Sequence, residues 1–262
     1  MMTMKTAPTW QLLKLTPENL KDQHICCALS GNNDRTVAAK KAWLADRLPE
    51  GLVFLKADIR GKCFIEYLPA EKAWCPLTAP GYMYIDCFWV SGSLAGHGYG
   101  DLLLKEAIRD SKQKGKQGLC VLSSPTKRPF LSDPAYLKYR GFQLADTADP
   151  FFELLYLPFS ESVDPPHFKQ TVKKPAVTAS GFVLYYSHQC PFPVKYAALL
   201  GDYATQKGGD WQAVCFQDLD QAQNAPTPAT TYSLFYQRRF LTNEILSIKA
   251  FEQLIRDNGI TL

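Results

Sequence analysis

The sequence has no run approaching the roughly 20 consecutive apolar residues that a membrane-spanning helix requires. Its opening, MMTMKTAPTW, also lacks the apolar stretch of a signal peptide, so the expectation is a soluble, cytoplasmic protein. No long basic block is present. The net charge of +4 is dispersed over groups such as Lys112, Lys114 and Lys116, or Lys169, Lys173 and Lys174, which argues against a nucleic-acid partner. There is no GxGxxG, no GK[ST] and no CxxC, which removes the dinucleotide folds, the P-loop and a two-thiol redox loop. The eight cysteines are spread along the chain without an export signal and read as reduced core residues rather than a disulfide framework.

What is present is a globular composition. At 46% hydrophobic and 21% charged residues, a sizeable core can form, and 262 residues favour two domains over one. WQLLKL reads as an opening strand. Thr16-Pro17-Glu18 then offers an N-cap, an N1 proline and a first-turn acid for a helix through about Leu29. RTVAAKKAWLADRL reads as a second helix. LVFLKADI and KCFIEYL, split by Arg60-Gly61, look like an antiparallel hairpin, and Tyr82 to Val90 (YMYIDCFWV) like a further strand. A turn with three close glycines, SGSLAGHGYG, leads into the helix-forming DLLLKEAIRDSKQ, which Gly115 ends. GLCVLSS, a short helix at AYLKY and two strands around Asp146 to Pro150 follow. Residues 161–178 carry prolines, lysines and hydroxyl residues without an apolar period and read as a linker. Beyond it, FVLYY, a helix from Val194 to about Lys207, WQAVC, TTYSLFYQ, FLTNEIL and a last helix make a second, smaller α/β unit.

A glycine-rich turn that enters a helix directs several backbone N–H groups and the positive end of the helix dipole at one point, as a phosphate requires. The same glycines could instead make a plain surface turn. Val90 and the stretch Ala95-Gly96-His97-Gly98-Tyr99-Gly100, between an aromatic strand and a helix, resemble the pyrophosphate loop of the GCN5-related N-acetyltransferases, the GNAT superfamily. The order of strands around it and the later Gly141-Phe142 extend the resemblance over about residues 9–159. HICCA, KKAWL, GKCFIEYLPAE, WVSG, PFLSDP and YLKYRGF resemble its YoaP-like branch, and QCPFP, AQNAPTP and TNEILS resemble that branch's C-terminal domain.

The resemblance implies a GNAT domain over 1–160, an α+β fold with a mixed, mostly antiparallel sheet flanked by helices. A linker over 161–178 and a YoaP-like, thioredoxin-like α/β domain over 179–262 would follow. It implies acetyl-CoA as co-substrate, no metal, and an acceptor amine on a small molecule or peptide that attacks the thioester directly. Cofactor contacts would fall on Phe88, Trp89 and Val90 and on the loop from Ala95 to Gly100, although Ala95 stands where the family usually has Gln or Arg. The family's thiolate-protonating Tyr falls here on Leu137, with Tyr136 one residue before it and Tyr139 two after, and either Tyr could equally serve packing.

Such a transfer needs a route for the ammonium proton. Glu66 and Glu71 at the end of the third strand and Asp86 within the fourth are the candidate carboxylates, with surface or structural roles as the alternative. His24, Cys26 and Cys27, read as late in the first helix, could line the acceptor pocket or be a buried helix face. Cys190 precedes a helix, where the dipole favours a thiolate. It could bind the acceptor or act as a one-thiol redox residue, with a structural tether as the alternative role of its domain. A thiol-dependent redox or soft-metal protein that uses an acyl-CoA-binding domain as a sensor is the alternative function. The sequence does not set the oligomeric state.

Overall fold

The structure, a computed structural model, describes residues 11–262. Residues 1–9 of the expected first domain, and Trp10 of its expected first strand, lie outside the described residues. In chain order the elements are β1 (Leu12–Lys14), α1 (Arg35–Arg47), β2 (Val53–Ala57), β3 (Cys63–Pro69), β4 (Leu77–Thr78), β5 (Tyr82–Val90), α2 (Tyr99–Gln113), β6 (Gly118–Ser123), α3 (Pro134–Tyr139), β7 (Gln143–Ala148), β8 (Phe152–Pro158), β9 (His167–Phe168), β10 (Phe182–Tyr186), α4 (Phe192–Gln206), β11 (Trp211–Cys215), α5 (Leu219–Gln223), β12 (Tyr232–Tyr236), β13 (Arg239–Thr242) and α6 (Ile248–Asp257). Among the described residues, no helix is long and apolar enough to cross a membrane.

Helix boundaries follow cap chemistry. Asp34 accepts the Thr36 N–H at 2.9 Å to open α1, and Asp133 caps α3 ahead of Pro134. The helix expected from Thr16 to Leu29 does not form. The Asn19 side chain accepts the Thr16 N–H at 2.9 Å, and its amide reaches back to Lys14 O at 3.0 Å, so local side-chain bonds hold the segment in successive turns. Cys26 then takes a left-handed backbone, φ 56°, which no helix accommodates.

The larger sheet has seven strands in the order β1-β2-β3-β5-β6-β8-β7, antiparallel except for the β5–β6 pair. One face buries Ile65, Met83 and Val121 under Leu103, Leu104 and Ala107 of α2. The opposite face buries Phe54, Phe64 and Tyr84 with Val37, Trp43 and Leu44 of α1.

A second sheet, β11-β10-β12-β13, has β10 and β11 parallel and the other neighbours antiparallel. Phe182, Leu184 and Leu234 pack there with Ala197 and Leu200 of α4 and Phe251 of α6. The second core facing α1 does not stop at the first sheet: it takes in Phe216, Ala222, Ala225 and Ala229 from the C-terminal half. The stretch expected as a linker is ordered. β9 pairs with β4 through Leu77↔Phe168 and Thr78↔His167, Phe168 and Val172 are buried, and Asp146 binds both the Phe168 N–H and Lys173.

Candidate active site

β5 and β6 pair only from Tyr82↔Gly118 to Ile85↔Val121. Beyond that point β5 continues to Val90 against β3 alone, while Leu122 and Ser123 of β6 pair with β8, so the two strands part at Asp86 and Leu122. A bulge sits at the same place: Glu66 faces Cys87 and Tyr67 faces Ile85, which leaves Asp86 as the extra residue. The bulge breaks the alternation of the strand. Tyr84 and Cys87 both point to the α1 side, and Ile85, Phe88 and Val90 to the α2 side.

On the α2 side lies the glycine loop. Gly96 and Gly98 have φ of 79° and 80°, and a Cβ at either would meet nothing within 4 Å, so these glycines serve backbone conformation and open approach. Gly98 precedes α2 without any side-chain cap, which leaves the helix start facing outward. Gly100 serves packing instead: a Cβ there would lie 3.2 Å from the Tyr136 hydroxyl and 3.7 Å from the Phe88 ring. Tyr136 stacks edge-on against Phe88 at 5.6 Å and donates its hydroxyl to Asp101 at 3.1 Å. Burial, followed by the Asp101 carboxylate, pushes its phenol up to about 12 and keeps it protonated. The Ala95 N–H is already donated to Gly92 O at 3.2 Å. His97 is exposed, and Trp89, also at the surface, lies under the Lys62 ammonium at 4.4 Å.

On the α1 side the parting strands meet a buried polar cluster. Lys40 of α1 donates to both Glu66 oxygens at 2.6 and 2.9 Å, and both side chains are fully buried. Asp86 hydrogen-bonds Glu66 and accepts the Gln189 amide at 2.6 Å. Two carboxylates thus share one ammonium. Burial first, and Asp86 beyond it, raise Glu66 to about 8 against the pull of Lys40; burial likewise raises Asp86. Cys27, Cys87 and Cys190 border this cluster closely enough to feel Glu66. A cavity of about 50 Å³ opens beside Asp86, between the parted strands and the C-terminal half.

A sequence of this organisation can be set beside known proteins. It is 41% identical over 244 residues to the "Uncharacterized N-acetyltransferase YoaP" of Bacillus subtilis (strain 168), a match spanning 93% of this chain and 97% of that one. The chain belongs to the GNAT acetyltransferase family. The GNAT family model matches residues 18–142 and the YoaP-like model residues 212–253. Solved structures that resemble this GNAT chain include the PaiA N-acetyltransferase of Thermoplasma acidophilum in complex with coenzyme A (15% identity, 58% of this chain, 99% of that one, TM-score 0.40). A GNAT family acetyltransferase of Brucella melitensis in complex with acetyl-CoA also resembles it (18% identity, 61% and 93% coverage, TM-score 0.39).

The structure brings Glu66, Asp86, Cys27 and Cys190 together, and places Phe88 and Tyr136 beside the loop. It does not gather the rest. Glu71 lies at the far end of β3, where it accepts the Gly81 N–H at 2.8 Å and pairs with Lys116. Tyr139 is 80% exposed, with the Arg140 guanidinium against its ring. His24 and Cys26 do not ride on a helix with Cys27. The His24 Nδ1 accepts the Cys26 N–H and its Nε2 sits 2.9 Å from Ile59 O, which ties both residues to the β2–β3 hairpin, and burial holds the imidazole pKa low. Cys190 lacks the expected thiolate character: burial outweighs the Phe192 N–H that it accepts at the start of α4 and pushes the thiol up to about 11. Among the described residues no group of three or more His, Cys, Asp or Glu could hold a metal ion, so the soft-metal alternative finds no support.

Two residues of the site were not anticipated. Lys40 carried a signal, since it falls in register with Val37, Trp43 and Leu44 on the buried face of α1. Gln189 carried none, because only the docking of the C-terminal half brings it to Asp86.

Proposed function

We propose that this protein transfers an acetyl group from acetyl-CoA to the amine of a small acceptor, with the C-terminal half completing the acceptor side of the site. One observation carries the reading: where β5 and β6 part, a glycine-led, uncapped helix start lies on one face and a half-buried carboxylate, Asp86, on the other. The N–H groups from Gly96 to Gly100 would hold the diphosphate of acetyl-CoA, and the free edge of β5 from Phe88 to Val90 its pantetheine arm. Asp86, backed by Glu66, would take the proton from the ammonium. The amine nitrogen then attacks the thioester carbon, the C–S bond breaks, Tyr136, still protonated, would give its proton to the thiolate, and the second proton of the new amide nitrogen would restore the Tyr136 hydroxyl. Residues 1–160 and 179–262 form the two domains of this reading. The β-α-β-α-β-β-α order and the parallel β10–β11 pair support a thioredoxin-like second unit.

The test is thermal unfolding with acetyl-CoA and with CoA. Ligand at 100 times its dissociation constant adds about 2.7 kcal/mol, a shift of roughly 5–10 °C in a protein of this size. No shift with either ligand would remove the basis of the proposal.

A further inference from the structure

Acceptor identity is the part of acetyl transfer that family membership leaves open, and the cavity beside Asp86 bears on it. Asp86 and Leu122 line it from the parted strands, Phe130 from the segment before α3, and Gln189, Thr230 and Asn243 from the C-terminal half. Both halves of the chain are therefore needed to build it.

Among the described residues that line the cavity, Asp86 is the one carboxylate and no Lys, Arg or His joins it. Lys40 donates to both oxygens of Glu66 and acts on Asp86 only through its charge, so the hydrogen-bond partners of Asp86 are Glu66 and the neutral Gln189 amide. A half-buried carboxylate that faces a cavity gains from a cation with N–H donors of its own. Gln189 turns its amide nitrogen to the Asp86 carboxylate at 2.6 Å, and its oxygen accepts the Ser187 hydroxyl at 2.7 Å.

Size narrows the choice. At about 50 Å³ the cavity is far smaller than the roughly 300–1,000 Å³ of a pocket that encloses a whole drug-sized ligand, so it admits only the slim end of one. Phe130, at the mouth, keeps a left-handed backbone with φ 59°, a costly state for an aromatic residue. Its neighbour Pro129 is tied to the C-terminal half through the Asn243 amide at 3.3 Å.

We infer that this cavity receives the ammonium end of an unbranched primary alkylamine, bound by Asp86, and that Gln189 is a positioning residue that aims the Asp86 carboxylate at it. The inference rests on the acetyl-transfer reading and names its acceptor class.

The experiment titrates full-length protein with ethylammonium chloride and, separately, with tert-butylammonium chloride, by calorimetry with and without CoA. CoA release from acetyl-CoA with ethylamine as acceptor is followed in parallel. Ethylammonium is expected to bind and tert-butylammonium not. Asp86→Asn, and Ala229→Leu, which enlarges a side chain on the cavity wall, should each weaken ethylammonium at least tenfold. Gln189→Leu should raise the KM for ethylamine about tenfold and leave the KM for acetyl-CoA in place, a split that a general loss of structure does not produce. Equal binding of the two ammonium ions by the unaltered protein overturns the inference, as does unchanged ethylammonium affinity in both Asp86→Asn and Ala229→Leu. If acetyl-CoA stabilises the protein and ethylammonium does not bind, this inference fails and acetyl transfer stands. If ethylammonium binds through Asp86 and acetyl-CoA does not bind, the transfer reading fails and the cation site stands.

Discussion

Glu66 and Asp86 share one ammonium, and the proton that this arrangement retains sets a pH dependence. Glu66 titrates near 4.5 when unfolded and at about 8 in the fold, so between these values the folded state holds the extra proton. Its contribution to stability is therefore whole below about 4.5 and declines as pH rises through about 8. Urea midpoints should fall from about pH 5 to about pH 8, and Glu66→Gln should flatten that slope. An unchanged slope in the variant would assign the dependence to other groups. Lys40→Met tests the same pair from the other side. At pH 9, above the value of about 8 at which Glu66 ionises, removing one partner of this buried ion pair costs roughly 3–5 kcal/mol, so the urea midpoint of Lys40→Met should there fall well below that of Lys40→Met combined with Glu66→Leu. At this scale the sequence was partly legible. Glu66 and Asp86 were among three candidate carboxylates, with Glu71, on or at the end of the third and fourth strands. Gln189 did not, since nothing local distinguishes it from a surface glutamine.

The strand-to-helix passage from β5 to α2 decides what the two faces of the sheet can do. Gly98→Asp combines a side chain at φ 80° with a negative charge at a helix start, and acetyl-CoA affinity measured by calorimetry should drop more than tenfold. Tyr136→Phe keeps the edge-on contact with Phe88 and loses only the hydroxyl. Acetyl-CoA affinity should stay within about twofold while turnover with ethylamine falls roughly 10²-fold. Equal loss of both would give Tyr136 a packing role. The hairpin, the aromatic strand and the glycine turn could be read ahead because each has its own period or turn chemistry. The segment from Thr16 to Leu29 misled, since its capping pattern was satisfied by a turn: Asn19 answers Thr16 before a second helical turn can start. The bulge at Asp86 was illegible, because an extra residue leaves no mark in a strand that is apolar on both faces.

Across the whole molecule the two halves are joined by more than a tether. The Trp74 carbonyl accepts the Thr230 hydroxyl, Cys75 donates its thiol to Pro228 O at 3.4 Å, and Phe240 packs on Phe151 and Phe152. Calorimetry should therefore record one unfolding transition for the full chain, and residues 1–162 alone should expose apolar surface to a hydrophobic dye. Two well-separated transitions would restore the picture of independent domains. The linker reading arose because Phe168 and Val172, the residues that anchor this stretch, are too few and too irregularly spaced to show a period.

The hydrogen bond from Gln189 to Asp86 spans 103 positions of sequence, and this has a consequence for synthesis. Chains leave the ribosome N-terminus first, and the GNAT sheet can pair long before the last strands emerge. Until residues 189–243 are free, the carboxylate at the strand opening has neither its amide partner nor the wall that closes it off. On the acetyl-transfer proposal, a nascent chain would therefore present its glycine loop early and the Asp86 opening last, so an unfinished or truncated product would be silent in catalysis while still taking up acetyl-CoA.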